Sequence, residues 1–144
     1  MNNEAFQDKA GAFAAGLMVQ AAWPILLIAA CVLVTPVIGL TAGPQATPLS
    51  AGAWFVAAAS ALATLAFSTL ILFDALLFRL MASHDGEAAG GAAVDDVLAR
   101  MRLKPIPTAT RSLDERMAGA RRLLMKQRTA FCLFAAASLV AAFI

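Results

Sequence analysis

Charge is missing from one long stretch of this sequence. Between Ala10 and Phe73 there is no Asp, Glu, Lys or Arg, and almost every residue is apolar or small. Over the whole chain of 144 residues only 14% are charged, whereas 61% are hydrophobic. A soluble domain of this size exposes much of its surface to water and does not tolerate such a composition. The scarcity of charge therefore predicts an integral membrane protein, and we expect an all-α fold with three transmembrane helices.

Histidine and cysteine, which supply most metal ligands in proteins, are also scarce. The single histidine, His84, lies in a glycine-rich connector without Cys or His partners at ligand spacing. Bis-histidine haem ligation within one chain is excluded for the same reason. Cys31 and Cys132 fall at different depths of separate predicted helices, which argues against a disulfide and makes them small apolar core residues. We expect no metal, no cofactor and no catalytic site.

The charge-free stretch predicts a transmembrane hairpin over residues 17–80. Its two apolar runs, residues 17–40 and 53–80, are each long enough to cross the ~30 Å hydrocarbon core, which takes about 20 helical residues. Residues 41–52 between them are rich in Gly, Pro, Ser and Thr and are typical of a turn. Residues 1–16 carry a narrow apolar stripe and predict an interfacial arm. Because this arm lacks a basic region, we expect the first helix to be a retained anchor and not a signal peptide.

The segment 81–128 follows the hairpin and contains a first amphipathic helix, which we expect over residues 92–103. Its apolar face is made of residues at helical spacing, namely Val94, Val97, Leu98 and Met101. A face of this kind has to be covered by the membrane surface, by the next helix or by another protein.

A second helix is expected over residues 113–128. The pair Ser112 and Glu115 forms the S-x-x-E pattern of a capping box, which predicts a helix start at this point. The helix continues into the third apolar run, residues 129–144, which we expect to be the third transmembrane helix. At 1.5 Å per residue this run is only about 23 Å long, short of a full span.

Orientation follows from the basic residues in the short loops. The segment 81–128 contains nine of the eleven basic residues, residues 1–16 contain one, and residues 41–52 contain none. The positive-inside rule therefore predicts a cytoplasmic N-terminus, a cytoplasmic polar segment and an external C-terminus in a bacterial-type inner membrane. Four basic residues beside the third apolar run are expected to contact anionic headgroups or a partner: Arg121, Arg122, Lys126 and Arg128. Nucleic-acid binding is not expected, because no aromatic residues are interleaved with this cluster.

The second helix of the hairpin carries one face of small and hydroxyl-bearing residues: Ala57, Ser60, Ala61, Thr64 and Ser68. Small side chains let helix backbones approach closely, so this face is the candidate packing surface within the bundle or between protomers. Lining of a polar pore is the alternative. Asp74 and Arg79 are expected to form an ion pair at the cytoplasmic interface, and an ion site within the bilayer is the less favoured interpretation of Asp74.

Three classes of function remain to be compared. The first is a small structural or accessory subunit of a membrane protein complex, packing through its transmembrane helices and docking through its cytoplasmic amphipathic helices. The second is a homo-oligomeric pore former, similar in its small size and three spans to holin-like proteins. The third, an enzyme, is not expected: bacterial diacylglycerol kinase shares the three-span plan, but the stretch LFDALLFR supplies only Asp74 and no Asn or Glu.

Overall fold

The computed structural model describes residues 3–42, 47–102 and 112–143, the side chains of residues 36–42 excepted. Within these ranges the chain is all-α and contains no strand. Its helices are α1 (Asn3–Ala42), α2 (Pro48–Ala82), α3 (Glu87–Arg100) and α4 (Leu113–Phe143). Three helical stretches are long and apolar enough to cross a membrane: Asn3–Thr35, Pro48–Ala82 and Leu113–Phe143. By the length and composition of these helices, the all-α fold suggests a membrane protein.

The start of α2 differs from the sequence expectation, because the helix begins at Pro48 and not at Ala53. The Thr47 hydroxyl accepts a hydrogen bond from the Ser50 amide at 3.1 Å, and the Ser50 hydroxyl accepts one from the Thr47 amide at 3.0 Å. This reciprocal pair is a capping box, and Pro48 occupies the first helical position, where its missing N–H is harmless. This helix start was therefore not predicted from the sequence, because the residues around it are typical of a turn. Residues 43–46 of the expected turn lie outside the described residues.

The predicted capping box of α4 is confirmed. The Ser112 hydroxyl accepts from the Glu115 amide at 3.3 Å, and the Glu115 carboxylate accepts from the Ser112 amide at 3.2 Å. From Leu113 the helix runs to Phe143 without a break, so the expected segments 113–128 and 129–144 are one helix. Residue 144 lies outside the described residues.

The first helix is also continuous. Because α1 begins at Asn3, the described part of the expected arm 1–16 forms its first turns. The apolar stripe of these turns is buried within the protein, with Phe6, Ala10 and Leu17 at most 2% exposed. An apolar stripe at helical spacing predicts burial but does not say whether lipid or protein covers it.

The chain divides into two compact units. Unit 1 comprises Met1–Val19 and Leu70–Arg122, and unit 2 comprises Gln20–Thr69 and Leu123–Ile144. In unit 1 the start of α1 packs on the end of α2, where the rings of Phe13 and Phe78 meet edge to face at 5.0 Å. The α3 helix, expected over residues 92–103, begins at Glu87, whose carboxylate accepts from the Leu113 amide at 2.6 Å.

Unit 2 contains the most apolar parts of α1, α2 and α4. Ile28, Ala57 and Phe134, one residue from each helix, form its buried cluster. The Trp23 and Phe131 rings lie 6.4 Å apart, so α1 and α4 are in contact beside this cluster.

Candidate functional site

The small-residue face of α2 lies inside unit 2. Ala57, Ser60, Thr64 and Ser68 are all buried, and Ala61 is half-buried against the core cluster. The face that the sequence assigns to helix packing is therefore covered by the chain itself. Contact between protomers through the same face stays a prediction.

Two hydroxyl groups of this face donate hydrogen bonds to backbone carbonyls of α2. The Thr64 hydroxyl donates to the Ser60 carbonyl at 2.8 Å, and the Ser68 hydroxyl donates to the Thr64 carbonyl at 2.8 Å. Bonds to the carbonyl four residues earlier are how Ser and Thr satisfy their donors in apolar surroundings. The hydroxyl donors of Thr64 and Ser68 are thus paired within an apolar helix.

Gln127 of α4 completes this row, and sequence reasoning overlooked it. Its side-chain amide donates to the Ser68 hydroxyl at 2.6 Å, and the residue is 1% exposed. In the sequence Gln127 stands between Lys126 and Arg128, a position that is typical of a polar surface. Helical periodicity could have indicated that Gln127 is buried. The buried residues of α4 recur at alternating intervals of four and three residues, and Gln127 occupies one of these positions. The members are Leu113, Met117, Ala120, Leu124, Gln127 and, after the half-buried Phe131, Phe134.

An open apolar groove of about 560 Å³ lies on the surface of unit 2 and is the main candidate for partner binding. Small residues of α1 and α2 line much of it: Ala30, Ala57, Ala58 and Ala61. Trp54 of α2 and Phe134 of α4 are the aromatic members of the lining, and Thr35 and Ser138 add two hydroxyl groups. Its bulky aliphatic members all come from α1: Leu27, Val32 and Val34. We name this feature the alanine groove.

The two charged residues near the end of α2 occupy different environments. Asp74 is half-buried and engaged in an interaction, whereas Arg79 is exposed and lines a second groove in unit 1. Positions i and i+5 are not neighbours on a helix, where i+3 and i+4 are the positions that meet. The Asp74–Arg79 ion pair stays a prediction.

The four basic residues that we expect to contact headgroups are all exposed: Arg121, Arg122, Lys126 and Arg128. In unit 1 the Arg121 guanidinium lies 5.9 Å from the centre of the Phe13 ring. In unit 2 the Arg128 guanidinium donates to the Gln20 side chain at 3.2 Å. Both contacts leave the side chains at the surface, where contact with a headgroup or a partner is sterically open.

The apolar face of α3 is partly covered within unit 1. Val94 is buried, Val97 and Leu98 are half-buried, and Met101 is 55% exposed. The next helix supplies a strong contact, since the Arg116 guanidinium donates to both carboxylate oxygens of Asp95 at 2.8 and 2.9 Å. This bidentate pair is shielded, with side-chain exposures of 12% and 13%, so solvent weakens it less than a surface pair. Much of the face expected to dock elsewhere is therefore used inside the protein.

The interpretation of the cysteines as core residues is wrong. Cys31 and Cys132 are both exposed free thiols, and Cys31 lines the alanine groove. Helical residues in a membrane protein can be apolar without being buried, because lipid covers the outward face. Among the described residues, no group of three or more His, Cys, Asp and Glu side chains lies close enough together to hold a metal ion.

Comparison of this chain with protein-family models, with curated proteins and with solved structures finds no match. A helical bundle hosts many unrelated functions, so a function for this chain has to be argued from its own surfaces.

Proposed function

We propose that this protein is a small accessory subunit of a membrane protein complex and that it binds a transmembrane helix of its partner in the alanine groove. One observation carries the proposal: four alanines of α1 and α2 lie together in an open apolar groove on the surface of unit 2. Large apolar residues elsewhere on the same helices are exposed, among them Leu26, Leu33 and Leu62. Lipid chains cover such residues without requiring any particular shape.

A helix is the occupant that best fits the alanine groove. Ala58 is exposed and Ala61 half-buried, one turn apart on α2, so a neighbouring backbone can approach this helix closely. Close approach increases dispersion contact between helices, which drives association in lipid because hydrophobic burial contributes little there. The hydroxyl groups of Thr35 and Ser138 add polar contacts for the same occupant, although Thr35 already donates to the Cys31 carbonyl at 2.7 Å.

The polar helices supply a second, smaller contact in this proposal. The apolar face of α3 is left open only at its end, at the capping residue Met101 and the half-buried Leu98 beside it. Docking through this end, and headgroup contact through the four basic residues of α4, place the polar segment against the membrane surface or a partner domain.

The proposal includes a location and an orientation. We place the protein in a bacterial-type inner membrane, with the N-terminus and the polar segment 81–128 cytoplasmic and the C-terminus external. The support is the distribution of Lys and Arg, since the turn between the first two spans contains none.

Pore formation by a homo-oligomer receives less support. A pore lining has to face water, whereas Ser60, Thr64 and Ser68 are buried, and the hydroxyls of Thr64 and Ser68 donate to carbonyls of their own helix. Catalysis is not proposed, because no described cluster of acids, bases or nucleophiles supports it.

Copurification from membranes in mild detergent tests the accessory role. The decisive variant is Ala58→Leu, which enlarges an exposed residue inside the alanine groove. Its control is Ala66→Leu, at another exposed alanine of α2 that does not line this groove. Overpacking costs about 1–3 kcal/mol, so we expect Ala58→Leu to weaken binding of a stoichiometric partner about fivefold or more and to lower its recovery accordingly. The control should retain wild-type recovery.

Three results would contradict the proposal. One is a native mass of a single 14.9 kDa chain without any partner. Another is a partner that both variants retain equally, because the alanine groove is then not the contact. The third is a homo-oligomer that depolarises membranes and loses this effect on Ser60→Leu, which favours the pore instead. Matched thermal stability of the two variants excludes misfolding as the cause of lost recovery.

A further inference from the structure

A second groove, in unit 1, has a different composition from the alanine groove. It lies between the start of α1 and the end of α2 and has a volume of about 520 Å³. Small-molecule sites in proteins have volumes of about 300–1,000 Å³. We name it the arginine groove, after Arg79, the one charged residue in its lining.

The α1 side of the arginine groove is small and apolar. Gly11, Ala15 and Met18 line it, and a Cβ atom added at Gly11 would meet nothing within 4 Å. The space in front of Gly11 is therefore open, and the backbone of α1 is accessible to an apolar chain lying along it.

The α2 side of the arginine groove is polar. Arg79 is exposed and is the only Lys or Arg between Lys9 and Arg100 in the sequence. Ser83 also lines the groove, but its hydroxyl donates to the Leu80 carbonyl at 2.8 Å. The Arg79 guanidinium is thus the group in this lining that carries a charge for an anion to pair with.

We propose that the arginine groove binds one anionic phospholipid, with its phosphate at Arg79 and its glycerol and upper acyl chain along Gly11, Ala15 and Met18. The position fits this occupant. Arg79 stands in the last turn of an apolar helix, next to the polar turn of Ser83 and His84, which is where headgroups meet the chain.

Charge and shape complementarity both favour a lipid over the other occupants. The planar guanidinium matches phosphate with two parallel hydrogen bonds. A free phosphate ion would use Arg79 but gain nothing from the apolar α1 side. A second transmembrane helix would bury the α1 side but bring no anion to Arg79. A phospholipid satisfies both sides of the groove at once.

Native mass spectrometry of the delipidated full-length protein, titrated with phosphatidylglycerol in mild detergent, tests this assignment. Gly11→Leu fills the open space without meeting a neighbouring atom at its Cβ. Gly16→Leu is the matched control, because a Cβ there also meets nothing within 4 Å and Gly16 does not line the groove. We expect Gly11→Leu and Arg79→Gln each to weaken binding of the first lipid about tenfold or more. Gly16→Leu should stay within about twofold of wild type. So should Arg102→Gln, which removes an exposed cation that does not line this groove.

The same titration can overturn the assignment. Equal loss in Gly11→Leu and Gly16→Leu would mean that the groove is not the site. Equal loss in Arg79→Gln and Arg102→Gln would mean that any surface cation suffices. Displacement of the lipid by millimolar inorganic phosphate, with Gly11→Leu unaffected, would identify a free-anion site instead. None of these results depends on the alanine groove, so failure here leaves the accessory role to be judged separately.

Discussion

At the scale of single residues, one glycine fixes how α3 lies against α2 in unit 1. A Cβ atom added at Gly90 would lie 2.8 Å from the Met81 carbonyl oxygen and 3.1 Å from its Cα atom. Both atoms belong to the backbone, so neither can move aside cheaply. The neighbouring Gly91 is also buried, but a Cβ atom there would approach only a nitrogen of Arg116, at 4.0 Å. Substitutions of these two adjacent glycines by alanine are therefore expected to have different effects on stability.

Gly90→Ala should loosen α3, whereas Gly91→Ala should leave it intact. We expect Gly90→Ala to destabilise α3 by about 1–3 kcal/mol, the range for overpacking a tight contact. Gly91→Ala should be neutral or stabilising by up to about 1 kcal/mol, because Ala is the better helix former. Hydrogen–deuterium exchange of the Glu87–Arg100 amides measures both effects. Equal exchange in the two variants would show that the approach to Met81 does not hold α3 in place.

At the scale of helices, a buried polar contact joins α2 and α4. The Gln127 amide reaches the Ser68 hydroxyl across the interface, and both residues are at most 1% exposed. Such contacts between membrane helices contribute modestly, averaging about 0.6 kcal/mol with a maximum near 1.7 kcal/mol. Their larger effect is on the register between the two helices, because the Gln127 amide reaches the Ser68 hydroxyl when α2 and α4 are aligned as they are here.

A double-mutant cycle on Gln127→Ala and Ser68→Ala should therefore give a coupling free energy of about 0.5–2 kcal/mol. The measurement is reversible unfolding of the purified protein in mixed detergent. Gln127→Ala with Ser60→Ala is the control cycle, because the Gln127 amide donates to Ser68, two turns further along the same face. The control coupling should be close to zero. A coupling for Ser68 no larger than for Ser60 would contradict the assigned contact.

The helices show how far sequence patterns reach in this chain. The charge-free stretch and the Ser112–Glu115 pattern led to three long apolar helices and to the correct start of α4, because hydrophobicity and capping are local. The capping box of Thr47 and Ser50 was equally local but was hidden in a stretch of turn-forming residues. The partner of Ser68 depends on the register between α2 and α4, which is not a local property.

Which side of a membrane helix faces lipid was harder to predict. Cys31 and Cys132 are apolar enough for a core and yet exposed, whereas the polar Gln127 is buried. In a soluble protein, apolar residues are mostly buried and polar residues are mostly exposed. In a membrane protein, the surface that faces lipid is apolar as well. The alanine groove and the arginine groove were not predicted for a related reason: each is formed by residues far apart in sequence.

At the scale of the whole molecule, charge distribution is the property that relates the chain to its membrane. The stretch 10–73 contains no charged residue, and the segment 81–128 contains nine basic and six acidic residues. Moving such a segment across a bilayer is unfavourable, so we propose that it stays on the cytoplasmic side, with the turn between the first two spans outside. The same orientation places Leu113, at the start of α4, on the cytoplasmic side and Phe143, at its end, towards the exterior.

Cysteine labelling of intact bacterial cells tests this orientation. With Cys31→Ala and Cys132→Ala as background, Gln45→Cys and Ala88→Cys each place one thiol in a polar part of the chain, and Ala88 is exposed in the first turn of α3. A membrane-impermeant maleimide should label Gln45→Cys in intact cells, because the proposed orientation places the turn between the first two spans outside. Ala88→Cys should be labelled only after permeabilisation, which also serves as the control that both thiols react. The reverse pattern would place the basic segment outside, and labelling of both in intact cells would mean that the first two helices do not form a spanning hairpin.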